Sequence, residues 1–445
     1  MLRLMLALTI ILTPNLLYFP PNAGLPGLNP ANLLLILLLA TLTFTKRWDG
    51  PPVASGVLTP PLLFWFLTLV IAFFVAQATM PINLLGDLVH LKNIVFYPLL
   101  YFVFRRCRQD LNGTRQLIYL TMAVAVAAGV DAAIDGLKFD INSYSDEQRT
   151  AGPFGERNAS NRAGVFYAMF LPLLFAMAIF LRGKAWWRLA AIAGCVILAF
   201  AIMVTFSRQS YLIALVGIAL LLIRRHMILA VFIAVLAIPA TALLPTAVVD
   251  RVAATQRYDA VGAAQLDDST ESRFTIWAGA WKMWKEHPAG VGLHRFPQYI
   301  GNYSEHQARD AHSIFVLMLA ECGVLGWGAV LWLLWRLLRL AQTVRLSAGE
   351  ADVEAKALGI GFTIAILSMA LGNVYGTPFL DGLVMGNFWI LCGLLEHYAL
   401  LKRHAAVDAS PAPETPFELA RSWQIGERFP LASRVSPGRY QSAPK

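Results

Sequence analysis

Apolar residues fall in long blocks along this chain, with no strict alternation of apolar and polar positions. Blocks of about fifteen to twenty residues, the length a helix needs to cross a hydrocarbon core of about 30 Å, lie near 4–20, 31–45, 60–79, 93–104, 116–135, 163–181, 186–206, 209–223, 227–247, 313–335, 356–375 and 379–401. That pattern predicts about twelve crossings, with the short block at 93–104 as a candidate re-entrant segment. A spanning segment must satisfy its own backbone hydrogen bonds, and without barrel-type alternation only helices do so. The expected fold class is therefore all-α, a polytopic helical bundle.

Polar segments between the blocks orient the bundle. Lys46-Arg47, Arg105 to Arg115, Arg182 to Arg188, Arg224-Arg225, Arg336 to Lys356 and Lys402-Arg403 occupy every second connection, so the positive-inside bias makes these cytoplasmic and puts both chain ends inside. Two of the remaining, outward connections are long, at 136–161 and 248–312. Loops of that length are uncommon unless functional or disordered, and the second should contain short helices. The expected division is a transmembrane domain over 1–403, including both loops, and a cytoplasmic tail over 404–445. The tail is Pro-rich, lacks apolar periodicity and should be disordered.

Composition agrees with a lipid-solvated chain: 57% of residues are hydrophobic and 14% charged, with a mean hydropathy of +0.58. The net charge of +9 sits in the connections beside apolar blocks, which removes nucleic acid as the expected partner. The four cysteines show no metal-ligand spacing. Arg3 followed by Leu4 to Leu12 has the form of a signal peptide or of a retained first helix, and the latter is expected.

Candidate chemistry gathers on the outward side. Arginines are more frequent there than the charge bias predicts, and a guanidinium matches phosphate oxygens in charge and geometry. Arg208, in Thr205-Phe206-Ser207-Arg208-Gln209-Ser210 between two apolar blocks, either snorkels to headgroups or contacts a phosphate. Arg273 begins a helical stretch in which Trp277, Trp281 and Trp284 share its face; that face either anchors an interfacial helix or guides a lipid-linked sugar. Lys92, Arg157 and Arg162 are further candidates for an anion, with an ordinary surface charge as the alternative. His312, where the second outer loop enters an apolar helix, is the candidate base, because an imidazole with a reference pKa of about 6.5 accepts a proton near neutrality. Glu321 lies about 14 Å further along the same helix and is expected to pack or hydrogen-bond. Asp146-Glu147 and Asp267-Asp268 read as loop charges and a helix cap, so no metal site and no cofactor are expected.

The succession Gly152-Pro153-Phe154 to Asn161, Phe206-Ser207-Arg208, Arg273 to Trp277, His287-Pro288-Ala289-Gly290-Val291-Gly292, Ala311-His312-Ser313 and Glu321-Cys322-Gly323-Val324-Leu325-Gly326 resembles the O-antigen ligase and polymerase superfamily. The resemblance implies a glycosyltransferase of the bacterial inner membrane with its active site facing the periplasm. Its implied donor is a glycan on undecaprenyl diphosphate, and its implied acceptor, in a ligase, the lipid A-core oligosaccharide. His312 is then the base, and Arg208 and Arg273 hold the pyrophosphate in a metal-independent inverting displacement; Arg157, Arg162 and Lys92 stand beside them as weaker pyrophosphate-binding candidates from the other outer segments. Ser313 stands where many relatives have Asn, which leaves polymerase and protein ligase open beside ligase. A flippase for lipid-linked glycan is the reading from another class; it would call for repeat symmetry and midplane polar groups, and neither is evident in the sequence.

Overall fold

The computed structural model describes residues 1–19, 29–44, 55–139, 148–181, 185–225, 268–347, 349 and 352–408, with short pieces between 227 and 266. Helices dominate: α1 (Leu2–Leu12), α2 (Pro30–Phe44), α3 (Thr59–Thr79), α4 (Leu84–Arg105), α5 (Leu111–Gly136), α6 (Ser160–Phe180), α7 (Ala185–Val204), α8 (Arg208–Arg225), α9 (Asp268–Glu286), α10 (Phe296–Tyr299), α11 (Ile314–Arg345), α12 (Val353–Gly372) and α13 (Gly382–Asp408). Eight helices among the described residues are long and apolar enough to cross a membrane. The span expected at 227–247 lies almost wholly outside those residues. Among the described residues, a small antiparallel ribbon in the second outer loop, Gln256–Tyr258 paired with Ala264–Leu266, departs from the helical pattern.

Two spans differ from the expected boundaries. The first helix stops at Leu12 because Pro14 has no N–H for the next rung; Asn15 then turns its own amide to Leu12 O at 3.0 Å and donates Nδ2 to Ile11 O at 2.7 Å, and a 3₁₀ turn follows at Leu16–Tyr18. At about 1.5 Å per residue, its 11 residues fall well short of a bilayer. The block at 93–104 is the second half of α4, a continuous helix of 22 residues containing Pro98. Asp87, His90, Lys92 and Asn93 dilute its first half in sequence, so the apolar pattern understates it.

α6 and α13 form the centre of the bundle, with 83% and 89% of their membrane windows buried against 33% for α7. α6 is apolar all round, the pattern of a helix with neighbours on every side, and packs against α7, α8 and α12. Gly361 of α12 lets the backbones meet: a Cβ there would lie 2.9 Å from the Leu173 Cα. At the basic end of the bundle, Arg105 donates to Glu396 at 2.9 Å and Arg115 to Glu354 at 2.8 Å, pairing charges that would otherwise stand unpaired at the edge of the apolar core. Contacts divide the chain into Met1–Leu401 and Lys402–Lys445; within the second, residues beyond 408, which hold nearly all of the expected tail, lie outside the described part.

Candidate active site

His312 sits immediately before α11, at the end opposite the basic one, in a left-handed backbone conformation with φ 48°. For a residue with a Cβ that conformation costs roughly 1–2 kcal/mol and persists only where the surroundings impose it. They do so through the turn that ends α12. Ile314 N donates to both Asn373 O and Gly376 O at 3.1 Å, which satisfies the first free amide of α11 without a side-chain cap. On the other side, Trp277 Nε1 of α9 donates to Ala311 O at 2.8 Å.

The same turn touches two other candidate segments. Tyr375 carries the Arg273 guanidinium 5.8 Å over its ring, with the Trp277 ring also 5.8 Å away. Gln209, next to Arg208, donates to Gly372 O. Arg208 itself is half-buried at the head of α8, directly after Phe206 and Ser207, and Phe206 is a second non-glycine residue in the left-handed region, at φ 48°. Gly372 to Gly376 therefore links the segments bearing His312, Arg273 and Arg208, which are remote in sequence.

Burial pushes the His312 imidazole below its ordinary pKa, since a desolvated cation is disfavoured. The Asp310 carboxylate opposes that shift, while the Arg273 and Arg309 guanidiniums add to it. The imidazole is thus held neutral near pH 7, the form able to accept a proton.

Beside this turn lies a cavity of about 820 Å³ whose walls include Asp310, Arg162, Asp381, Glu321, His90 and His294. Arg162 forms an ion pair with Asp381 on its rim. His294 stacks on His90 with ring centroids 4.3 Å apart and precedes Arg295, which is 1% exposed. Arg295 grips Asp87 with both terminal nitrogens, Nη1 at 2.9 Å to Oδ1, and donates Nε to Met80 O at 2.8 Å. A bidentate pair of this kind fixes orientation as well as charge; it fastens the outer segment to α3 and α4.

The remaining candidates are placed differently. Arg157 is exposed on a 3₁₀ turn over Arg157–Ala159. Lys92 is exposed on α4, and no contact among the described residues ties it to His312. Trp281 and Trp284 pack on each other at 4.8 Å, one turn beyond the Tyr375 contact, with Trp281 exposed. No cluster of metal-ligating side chains occurs among the described residues.

Two glycine motifs prove architectural. Gly323 adopts φ 65° and breaks α11 into two helices. The carbonyls near this break, Ala320 O and Glu321 O, accept from Val291 N at 2.9 Å and Gly292 N at 3.0 Å. A Cβ on Gly290 would lie 2.3 Å from Glu321 O, and one on Gly323 2.5 Å from Pro288 O. The buried Glu321 side chain accepts from Phe296 N at 3.0 Å. His287 to Gly292 and Glu321 to Gly323 thus interlock and hold the first half of α11 in place behind His312. Sequence reading missed Asn373 and Tyr375; a polar and aromatic knot, Asn373-Val374-Tyr375-Gly376, between two apolar blocks of the outward side was the available signal.

The fold and site define a helical membrane protein with its titratable and cationic candidates gathered at one end of the bundle. Residues 193–333, about a third of the chain, match the family model described as O-antigen ligase, which supports the O-antigen ligase superfamily. Members of that family are glycosyltransferase-like enzymes, ligases and polymerases, acting in general on lipid-linked glycans and lipid acceptors. No curated protein matches the chain. The matched stretch contains Arg208, Arg273 and His312, while Arg157, Arg162, Lys92 and Tyr375 lie outside it.

Proposed function

We propose that the protein is an O-antigen ligase, moving a glycan from undecaprenyl diphosphate to the lipid A-core oligosaccharide at the periplasmic face of the bacterial inner membrane. The observation that carries this reading is a neutral imidazole, His312, on a left-handed backbone, whose basicity is lowered first by burial and then by the charges of Arg273 and Arg309, within the stretch that matches the family.

In the proposed reaction, His312 takes the proton of an acceptor hydroxyl as its oxygen attacks the anomeric carbon. The new glycosidic bond forms as the bond from that carbon to the diphosphate oxygen breaks, and undecaprenyl diphosphate leaves with the electron pair. Arg273 and Arg208 neutralise the charge growing on the leaving group, with Arg162 at the cavity rim and Arg157 and Lys92 as outer contacts. The cavity of about 820 Å³ is of a size to admit sugar units between the two carriers. Charge neutralisation by guanidinium makes the displacement metal-independent.

Reconstituted protein given lipid-linked glycan and lipid A-core should produce glycan on the core, in chelator as well as in buffer. His312→Ala and Arg273→Ala should insert normally and lose about a hundredfold or more in rate, the cost of removing one preorganised catalytic group. A ladder of longer lipid-linked chains would identify a polymerase, and glycan on Ser or Thr a protein ligase. Movement of the lipid without any new bond would overturn the enzyme reading.

A further inference from the structure

At the basic end of the bundle, away from His312, α2 stands off from α4. α2 buries only Leu35 and Leu38 and packs chiefly on α1. The gap is a cavity of about 520 Å³ walled by Leu35, Leu39, Leu99 and Phe102 and bounded at its polar end by Arg106 and Arg108. Arg108 closes that end: in a left-handed conformation at φ 50°, it donates Nη2 to Leu42 O at 2.7 Å, occupying a carbonyl that the end of α2 leaves without a helical partner. Among the described residues, the acidic groups near this end are engaged elsewhere, Asp352 in capping α12 at Glu354 N and Ala355 N. Glu396 receives Arg105, Tyr101 and Val57 N, Glu354 receives Arg115 and Tyr119, and Asp110 caps α5 at Gly113 N. Arg106 is exposed and forms no ion pair among the described residues.

We infer that this cavity holds one phospholipid with an anionic headgroup, its phosphate on Arg106 and an acyl chain along Leu35, Leu39, Leu99 and Phe102. The two halves of the cavity select together. Apolar walls open to a bilayer are filled by acyl chains, and a basic rim at the membrane surface prefers net negative headgroups. A zwitterionic lipid would fill the walls equally well but would neutralise Arg106 less fully. Because the site lies at the other end of the bundle, it does not depend on the proposed transfer reaction.

Native mass spectrometry of the full chain in mixed micelles tests this with three probes: phosphatidylglycerol, phosphatidylcholine of the same chain length, and inorganic phosphate. The wild type should retain phosphatidylglycerol about fivefold better than phosphatidylcholine, the factor expected for one cation beside an anionic headgroup. In Arg106→Gln that ratio should fall to near one. Leu39→Trp, which fills the apolar part and keeps both guanidiniums, should lose retention of both lipids at an unchanged melting temperature. Equal retention of the two lipids by the wild type, an unchanged ratio in Arg106→Gln, or unchanged retention in Leu39→Trp overturns the inference. Displacement of phosphatidylglycerol by inorganic phosphate would reduce it to a plain anion site and overturns it too.

Discussion

Replacing Tyr375 with leucine should slow glycan transfer about 5- to 70-fold while the protein still folds and inserts. The ring does two things at once. It lies beneath the Arg273 guanidinium at 5.8 Å, near the outer limit of a cation–π contact, which places that contribution at about 0.5–1 kcal/mol. It also meets the Trp277 ring at 5.8 Å and 35°, within the range of aromatic pairs that contribute about 0.5–1.5 kcal/mol. If both interactions set where Arg273 stands in the transition state, their loss raises the barrier by about 1–2.5 kcal/mol, and about 1.4 kcal/mol is tenfold in rate. Tyr375→Phe keeps the ring and should stay within about twofold of wild type, since most of the attraction comes from the ring quadrupole. The assay is kcat/KM for lipid-linked donor in proteoliposomes, alongside thermal unfolding of each variant. Wild-type rates in Tyr375→Leu, or a phenylalanine variant as slow as the leucine one, would show that Tyr375 does not position Arg273.

Three further outcomes follow from the same geometry. The proposed reaction needs the neutral imidazole, so its acid limb should lie below the ordinary histidine value of about 6.5. Arg309→Gln removes a charge that lowers the His312 pKa and should move the limb to higher pH; Asp310→Asn removes one that raises it and should move the limb lower. A pH–rate profile that shifts the same way in both would exclude His312 as the titrating base. Asp87→Ala strands the buried Arg295 and should cost about 3–5 kcal/mol, whereas Asp87→Ala with Arg295→Met leaves no unpaired charge and should cost much less than the two singles added. Additive losses in equilibrium unfolding would mean that the pair is not coupled. Gly323→Ala combines a positive-φ, extended-ψ backbone that essentially only glycine adopts, about 1–3 kcal/mol, with a Cβ 2.5 Å from Pro288 O, an overpacking of about 1–3 kcal/mol. Gly328→Ala on the same helix meets nothing within 4 Å and should be neutral or stabilising; similar melting points for the two would remove the interlock.

The bundle was legible in the sequence because a bilayer imposes one period and one length on every crossing, so apolar blocks mark helices almost by themselves. The first half of α4 escaped for a reason the same rule cannot supply. Two of its polar residues meet partners more than two hundred positions away: His90 stacks on His294, and Asp87 is tolerated there because Arg295 returns to meet it, and nothing local announces that return. The place of His312, an imidazole at the entrance to an apolar helix, was legible from residue type and position. Tyr375 was not, because its role arises from contact with Arg273 and Trp277 across about a hundred residues of chain, and a lone tyrosine after a helix end carries no spacing to read.

The glycine motifs show how sequence patterns and chemistry can part company. His287 to Gly292 and Glu321 to Gly323 hold a titratable histidine and a carboxylate, residue types that invite a catalytic assignment. In the fold, Gly290 and Gly323 are needed because two backbones pass closer than a Cβ permits, and Glu321 is occupied by the Phe296 amide. The consequence falls on His312. Its left-handed conformation would relax if the first turn of α11 could slide or rotate. That turn is fixed at its start by the Asn373 and Gly376 carbonyls, and the helix is fixed again nine residues later by the break at Gly323, so the strain of roughly 1–2 kcal/mol is retained in the backbone of His312. The base role proposed for His312 would need such restraint, since water and headgroups offer a free imidazole many competing partners. The motifs flanking the site act on the backbone that carries His312, through the contacts of Val291, Gly292 and Gly323 with the first half of α11.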